Sequence, residues 1–329
     1  MEPISPTLDD AIAARPHVYR HVRATPLYPA PGLSKLLSAD VWVKHENHLP
    51  VGAFKVRGGL HLAATLAPGE GGGIGRTAPS ALFTASTGNH GQSIAFAGRA
   101  YGIPVTIAVP RGANPLKVAA MEALGAKVVA HGADFDEARE WIMTRAQEES
   151  ARFVGPTDPE LIAGVASYAL EILEELPEVE DILVPVGAGS GACGCCIAGR
   201  GIRPALRVFG VQSEQAPTQQ RSWREGRPVL AAMETRAEGL ATRVPFDNTQ
   251  RILRDDKVGL EDFMLVSDDE LENAIRLFFE HTRNLAEHAG AAALAGALRI
   301  RDQLRDRKVV LVLSGGNLSI ADLRRIFAG

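Results

Sequence analysis

Short apolar runs alternate with longer stretches of helical periodicity along most of this chain. The apolar runs predict strands at 41–43, 82–85, 105–109, 127–130, 182–186, 206–211 and 309–313. Between them, apolar residues recur with helical spacing, for example over 92–101, 161–176 and 268–283. Strands that alternate with helices of about 10 to 15 residues indicate a parallel sheet with helical crossovers. We therefore predict an α/β protein.

The same periodicity predicts how the chain is divided. A glycine-rich stretch at 68–75 is typical of a surface loop, and the rhythm of strand, loop and helix begins after it. We predict two lobes, each an open, mostly parallel sheet wrapped by helices. The large domain is expected to combine residues 1–75 and 155–329, and the small domain to comprise residues 76–154. Residues 214–263 show weak periodicity and are predicted to form loops and short helices.

Composition and charge narrow the function classes. With 329 residues, of which 46% are hydrophobic, the chain is long enough for a large core and two lobes. Its 35 basic and 39 acidic residues give a net charge of −4 without a basic block, so we expect no nucleic-acid partner. No uninterrupted run of about 18 apolar residues is present, and the N-terminus lacks a basic region followed by an apolar run. We expect a cytoplasmic protein with no membrane partner.

The three cysteines lie together in one segment, at Cys193, Cys195 and Cys196. Cysteines this close cannot join distant elements through disulfides, and a reducing compartment fits. A zinc site needs about four ligands, and no further Cys or His pair at zinc spacing accompanies them. We expect buried packing residues and no metal site.

Lys55 stands in an unusual setting for a lysine. Gly52, Ala53 and Phe54 precede it and Val56 follows it, so its amine is expected to be partly desolvated. Desolvation lowers the pKa of an amine and favours a nucleophile or a Schiff-base former. The alternative is an ordinary surface lysine at the start of a helix, and the local pattern leaves both open.

A glycine-rich loop, Gly187–Gly191, separates a wholly apolar strand from a helix of small residues. Its bare backbone can approach an anion, and the helix start supplies N–H groups and a positive dipole end, which predicts a phosphate-binding loop. The same segment also matches a dinucleotide fingerprint, Gly187-x-Gly189-x-x-Ala192, with Glu214 as the ribose acid. A plain tight turn is the third alternative. A serine-hydrolase elbow is excluded, because alanines stand where that motif needs two glycines.

Two further loops bring hydroxyl groups to the ends of predicted strands. The segment Ser86-Thr87-Gly88-Asn89-His90-Gly91 combines four polar residues with two glycines, which suits a carboxylate, whereas a simple helix cap needs one such residue. Ser314 follows the last strand, where its hydroxyl either faces a ring nitrogen or caps a helix. In such sheets ligands gather at the carboxyl ends of strands. A reactive lysine, a phosphate loop, a carboxylate loop and a hydroxyl for a ring nitrogen together describe a pyridoxal phosphate site.

The chain resembles the serine/threonine dehydratase group of the tryptophan-synthase-β-like pyridoxal phosphate enzymes. The resemblance covers nearly all of the chain and is carried by three segments, Lys44-His45-Glu46-Asn47 through Phe54-Lys55-Val56-Arg57-Gly58, Ser86-Thr87-Gly88-Asn89-His90-Gly91-Gln92, and Ser314-Gly315-Gly316-Asn317.

The resemblance implies a role for each matching residue. Lys55 would hold pyridoxal phosphate between the lobes as an internal aldimine, with Phe54 packed beside it. Asn89 would meet the ring hydroxyl, and Ser314 the ring nitrogen. The phosphate would lie on Gly187, Ala188, Gly189, Ser190 and Gly191. The carboxylate of the substrate would lie on Ser86, Thr87, Gly88 and His90.

The resemblance also implies the reaction. It predicts a lyase that eliminates water from a β-hydroxy-α-amino acid of the threonine, serine or phenylserine class to give a 2-oxo acid and ammonia, with Lys55 taking the Cα proton. A homodimer with a small-molecule substrate is expected. Racemisation is the runner-up, because Thr87 stands where related racemases carry a serine. In other classes, a nicotinamide-dependent oxidoreductase that uses the loop 187–192 and a non-enzymatic binding module are the alternatives.

Three departures from the family pattern bear on specificity and on metals. Gln212 and Thr218 stand where related enzymes often place the acids of a divalent-cation site, which leaves Glu214 as the acid nearby. Gly155-Pro156 stands in place of His-Pro, and the missing imidazole is predicted to admit a larger β-substituent, such as a phenyl ring. Gly164-Val165-Ala166-Ser167 replaces Gly-Gln-Gly-Thr.

Overall fold

The structure is a computed structural model that describes residues 5–67 and 79–328. Its strands are β1 (Leu27–Pro29), β2 (Asp40–His45), β3 (Leu82–Ala85), β4 (Val105–Val109), β5 (Lys127–Ala130), β6 (Arg152–Phe153), β7 (Asp181–Pro185), β8 (Arg207–Ser213), β9 (Asp262–Val266) and β10 (Lys308–Leu313).

Helices cover both sheets. They are α1 (Leu8–Tyr19), α2 (Pro31–Leu37), α3 (Lys55–Leu66), α4 (Asn89–Tyr101), α5 (Pro115–Ala123), α6 (Phe135–Glu148), α7 (Pro159–Val165), α8 (Ser167–Glu175), α9 (Ser190–Gly194), α10 (Thr218–Glu225), α11 (Asp247–Leu253), α12 (Asp268–Thr282), α13 (His288–Arg299), α14 (Arg301–Leu304) and α15 (Ile320–Phe327).

The strands form two sheets. The larger has the order β1-β2-β10-β7-β8-β9, and the smaller has the order β5-β4-β3-β6. All neighbours pair in parallel except β1, which runs antiparallel to β2. The predicted α/β class is confirmed. Of the predicted domain limits, the one between residues 75 and 76 lies outside the described residues, and the one between 154 and 155 stays a prediction.

Both faces of the large sheet are buried, which explains its continuous apolar strands. Along β10, Val309 and Leu311 point into a core shared with α12 and α13, whereas Val310 and Val312 point into a core shared with α8 and α9. The small sheet repeats this arrangement, since Leu82 packs towards α3 and α4 while Phe83 packs towards α6. In each parallel sheet, the loops at the carboxyl ends of the strands therefore meet at one edge.

Several elements differ from the prediction. The edge strands β1, β6 and β9 were absent from it. β1 and β6 have only three and two residues, and β9 begins inside the stretch of weak periodicity at 214–263. The helix predicted over 161–176 is two helices, α7 and α8, and Ser167 at the break donates its hydroxyl to Gly164 O at 2.8 Å. Helix α4 begins at Asn89, three residues before the predicted start.

The cysteines lie in α9 and in the π-helical turn Cys195–Arg200 that continues it, and all three are buried and unpaired. Among the described residues, no group of three or more His, Cys, Asp or Glu side chains is placed to hold a metal ion. No described helix is both long enough and apolar enough to cross a membrane.

Candidate functional site

Lys55 is the first residue of α3, directly after the capping residue Phe54. Its amine lies 5.0 Å from the centroid of the Phe54 ring. Burial lowers the pKa of Lys55 to about 8, and the negative charge of Glu287 opposes that shift. A lysine with a pKa near 8 is partly neutral at physiological pH and so is available as a nucleophile or a base.

The end of β10 meets the segment that precedes α3. Ala53 and Gly315 form an isolated antiparallel bridge. The N–H of Phe54 donates to Ser314 O at 3.0 Å, and the N–H of Gly316 donates to Gly52 O at 2.9 Å. The buried Ser314 is therefore a main-chain neighbour of the lysine segment, although nearly the whole chain separates them in sequence.

The loop Gly187–Gly191 lies next to the Phe54 ring. Gly189 has a φ of 103°, a conformation that favours glycine. A Cβ on Gly187 would lie 2.0 Å from Gly239 O, and a Cβ on Gly191 would lie 3.5 Å from the Phe54 ring. The loop therefore needs bare backbone at Gly187 and Gly189, and it ends at the start of α9, where the first N–H groups have no intrahelical partner.

Side chains from two helices hold the carbonyl groups of this loop. Thr249 Oγ1 donates to Ala188 O at 2.9 Å, and Tyr168 OH donates to Gly191 O at 2.8 Å. These bonds occupy the acceptors of the loop and leave its donors for an anion. Ser190, which completes the predicted phosphate loop, is buried at the first position of α9.

The predicted carboxylate loop connects β3 to α4. Ser86 Oγ accepts the N–H of Gly88 at 3.2 Å, and Thr87 is half-buried beside it. Asn89 and His90 belong to the first turn of α4 and not to the loop itself. The loop thus presents hydroxyl groups and the N–H groups of a helix start, which is the donor set that the sequence predicted.

The His90 ring is hydrogen-bonded to the strand that precedes its loop. Thr84 Oγ1 donates its hydrogen to Val154 O at 2.9 Å, so it accepts from His90 Nε2 at 3.0 Å. Burial, and then the positive charge of Lys55, lower the pKa of His90 to about 3. The ring is therefore neutral and bound to β3, and it offers a carboxylate no positive charge.

Sequence reasoning missed Glu287, which caps α13. Asn89 Nδ2 donates to Glu287 Oε1 at 2.7 Å, and Asn89 Oδ1 accepts from Asn317 Nδ2 at 2.8 Å. Burial raises the pKa of Glu287 to about 7, against the hydrogen bond from Asn89. The available signal was an acidic residue just before a run of small helical residues, where the predicted helix started at Gly290.

Two half-buried titratable groups with pKa values near neutrality, Lys55 and Glu287, thus lie in one site with Asn89. The pKa of the lysine is lowered and that of the glutamate is raised. Such shifts within one cleft are typical of sites that move protons. The structure brings together Lys55, Phe54, Asn89, Ser314 and the glycine loop, which the sequence had placed in four separate segments.

Comparison with known proteins adds to this geometry. Residues 18–315 match the model of the family described as pyridoxal-phosphate dependent enzyme. The chain is 35% identical over 322 residues to an L-threonine ammonia-lyase of Thermotoga maritima, covering 97% of this chain and 78% of the relative. It is 31% identical over 329 residues to an L-threo-3-hydroxyaspartate ammonia-lyase of Saccharomyces cerevisiae, covering 99% and 98% of the two chains. The structure of the processed form of threonine deaminase isoform 2 from Solanum lycopersicum superposes with a TM-score of 0.89 at 27% identity, covering 99% of this chain and 95% of that one.

Proposed function

This chain belongs to the family of pyridoxal-phosphate dependent enzymes, and we propose that it is a lyase that removes water from a β-hydroxy-α-amino acid and releases ammonia and a 2-oxo acid. Two relatives that match more than nine-tenths of the chain are ammonia-lyases of hydroxy amino acids. One observation carries the proposal: Lys55 lies close to both the glycine loop and Ser314, and its pKa is lowered.

The residues present fit the cofactor. The close approach of Gly239 O to Gly187 and the left-handed Gly189 form a loop of bare backbone suited to a phosphate. In this proposal Lys55 holds the cofactor covalently, Gly187–Gly191 bind its phosphate, and Asn89 and Ser314 meet the ring. When bound, pyridoxal phosphate supplies an electron sink for negative charge at Cα of an amino acid.

The protein's own groups would then bind the substrate and move its protons. The loop with Ser86, Thr87 and Gly88 offers hydroxyl and N–H donors to the substrate carboxylate. Lys55, once free, takes the Cα proton, and it does so only as a neutral amine. Because burial lowers its pKa to about 8, the neutral fraction rises through the mildly alkaline range, and activity should rise with it.

The test is a panel of threonine, serine, threo-3-hydroxyaspartate and phenylserine, assayed for 2-oxo acid and ammonia. At least one of them should give both products in equal amounts. Borohydride should bleach the visible absorbance of the holoenzyme and abolish activity, because it reduces the bond between Lys55 and the cofactor. A protein with no such absorbance, or a Lys55→Ala variant with full ammonia release, would refute the proposal.

Racemisation remains the second candidate, because Thr87 offers a hydroxyl at the loop that would hold the substrate. Chiral analysis of the recovered substrate separates the two activities, since elimination alone leaves no opposite enantiomer. The family match is to pyridoxal phosphate enzymes, so a nicotinamide cofactor on the loop 187–192 has no support.

A homodimer in the cytoplasm stays part of the proposal. Three free buried thiols fit a reducing compartment. Light scattering on the purified holoenzyme would measure the number of subunits.

A further inference from the structure

The side-chain amide of Gln212 connects three elements next to the glycine loop. Gln212 is fully buried on β8. Its Oε1 accepts the N–H of Gln220 at 3.0 Å, and its Nε2 donates to Leu240 O at 3.3 Å and to Thr242 Oγ1 at 3.4 Å. A backbone N–H can only donate and a carbonyl can only accept, so these partners determine the orientation of the amide.

The segment that Gln212 holds covers the glycine loop. The 3₁₀ turn Glu238–Leu240 brings Gly239 O to 2.0 Å from the place of a Cβ on Gly187. On its other side, a Cβ on Gly239 would lie 2.8 Å from Ala289 Cβ, in the first turn of α13. The turn is therefore packed between the glycine loop and the helix that Glu287 caps.

We propose that Gln212 is a positioning residue for the phosphate loop: its amide holds the turn Glu238–Leu240 against Gly187 and so keeps the loop in the shape that binds phosphate. This inference rests on the proposed function, because the phosphate is that of pyridoxal phosphate. It predicts that loss of the amide weakens the binding of the phosphate end of the cofactor more than that of its ring.

The experiment compares pyridoxal phosphate with pyridoxal, which lacks the phosphate. Apoenzyme of the wild type and of Gln212→Met is titrated with each compound, and binding is followed by the visible absorbance of the lysine adduct. Methionine keeps the volume of the side chain and removes both donated hydrogen bonds together with the one accepted from Gln220 N–H. We expect the Kd of pyridoxal phosphate to rise about tenfold and the Kd of pyridoxal to change by less than about twofold.

Gln220→Met is the matched control. Gln220 is also a buried glutamine, and its Nε2 donates to Phe263 O at 3.1 Å, away from the turn Glu238–Leu240. Its own N–H, which Gln212 accepts, is unaffected by the change. This variant should lose stability to a similar extent and keep wild-type affinity for both compounds.

Three results would overturn the inference: unchanged affinity for pyridoxal phosphate in Gln212→Met, equal losses for both compounds, or equal losses in the control. If Gln212→Met does not fold, Thr242→Val removes one of the two acceptors at constant shape. It should raise the Kd of pyridoxal phosphate alone by about threefold, and no rise would refute the role. A wild-type apoenzyme that binds neither compound would instead refute the proposed function.

Discussion

Two basic residues of the same helix, α3, behave in opposite ways: Arg57 and Lys55. Arg57 lies with Glu46, Glu171 and Lys44 in a cluster of two positive and two negative charges, all buried. Its guanidinium is 2.7 Å from Glu46 and 2.5 Å from Glu171, and Lys44 Nζ is 2.6 Å from Glu171. Lys55, two residues earlier, has no ion pair of this kind among the described residues.

The pKa values show what pairing does. Burial works against the charged form of Arg57, yet the carboxylates of Glu46 and Glu171 outweigh it and raise the pKa of that guanidinium. The pKa of Glu171 is lowered, because Arg57 and Lys44 outweigh its burial. At Lys55 burial dominates, and the pKa falls to about 8. The paired charges keep Arg57 and Glu171 ionised, whereas desolvation without a close ion pair makes the Lys55 amine reactive.

The largest expected effect comes from removing the isolated amine. Lys55→Ala should lower kcat about ten-thousandfold, because it removes both the covalent anchor of the cofactor and the base for the Cα proton. The stability of the apoenzyme should change by less than about 1 kcal/mol, since no ion pair is lost. Steady-state assays and urea unfolding measure the two quantities. A large loss of stability would show that Lys55 is structural, like Arg57.

Replacing Arg57, the centre of the charge cluster, should mainly lower the stability of the protein. Arg57→Met leaves two buried carboxylates with Lys44 alone and should cost about 3–5 kcal/mol of the free energy of unfolding. Arg145→Met is the control, because Arg145 pairs with Glu148 at 2.9 Å on the exposed face of α6. That change should cost less than about 1 kcal/mol. Urea unfolding measures both losses of the free energy of unfolding. Equal losses for Arg57→Met and Arg145→Met would contradict a structural role of the buried cluster.

Glu287→Gln sharpens the comparison by leaving Lys55 still more isolated. The negative charge of Glu287 raises the pKa of Lys55, so its removal should lower that pKa further below about 8. The neutral amine then persists to lower pH. The rate at which the apoenzyme reacts with pyridoxal phosphate should reach half its maximum about one pH unit lower than in the wild type. A shift towards higher pH would mean that another charge controls Lys55.

The smallest effect is expected from chelation. Gln212 holds an uncharged amide where a cation site would need a carboxylate, and its Nε2 already donates to Leu240 O and Thr242 Oγ1. Dialysis against EDTA should therefore leave kcat and the thermal midpoint within about 10% and about 1 °C of the untreated holoenzyme. A loss that magnesium restores would show that a cation contributes after all.

Much of the site could be predicted because its parts are local in sequence. The apolar neighbours of Lys55 pointed to a desolvated amine, and the order of strand, glycine loop and helix pointed to an anion site. Glu287 was missed because nothing in its own neighbourhood distinguishes it from a helix cap. Its partner Asn89 begins α4, which follows a strand of the small sheet, and only the tertiary structure brings the two side chains to 2.7 Å. That His90 binds the substrate carboxylate stays a prediction; its ring is held by Thr84, six residues earlier on β3.

By itself, the sequence determined the α/β class, the positions of the loops that carry chemistry and the family, because side chains two, three or four residues apart already decide which face is buried. The tertiary structure decided which charges are closed into pairs and which are left alone. Arg57 and Lys55 share a helical turn. Glu46 and Glu171 pack against Arg57 and make it structural, whereas Lys55 is desolvated without a close ion pair and is therefore reactive. Pairing energies depend on distances between remote segments, and these exist only once the sheets are assembled.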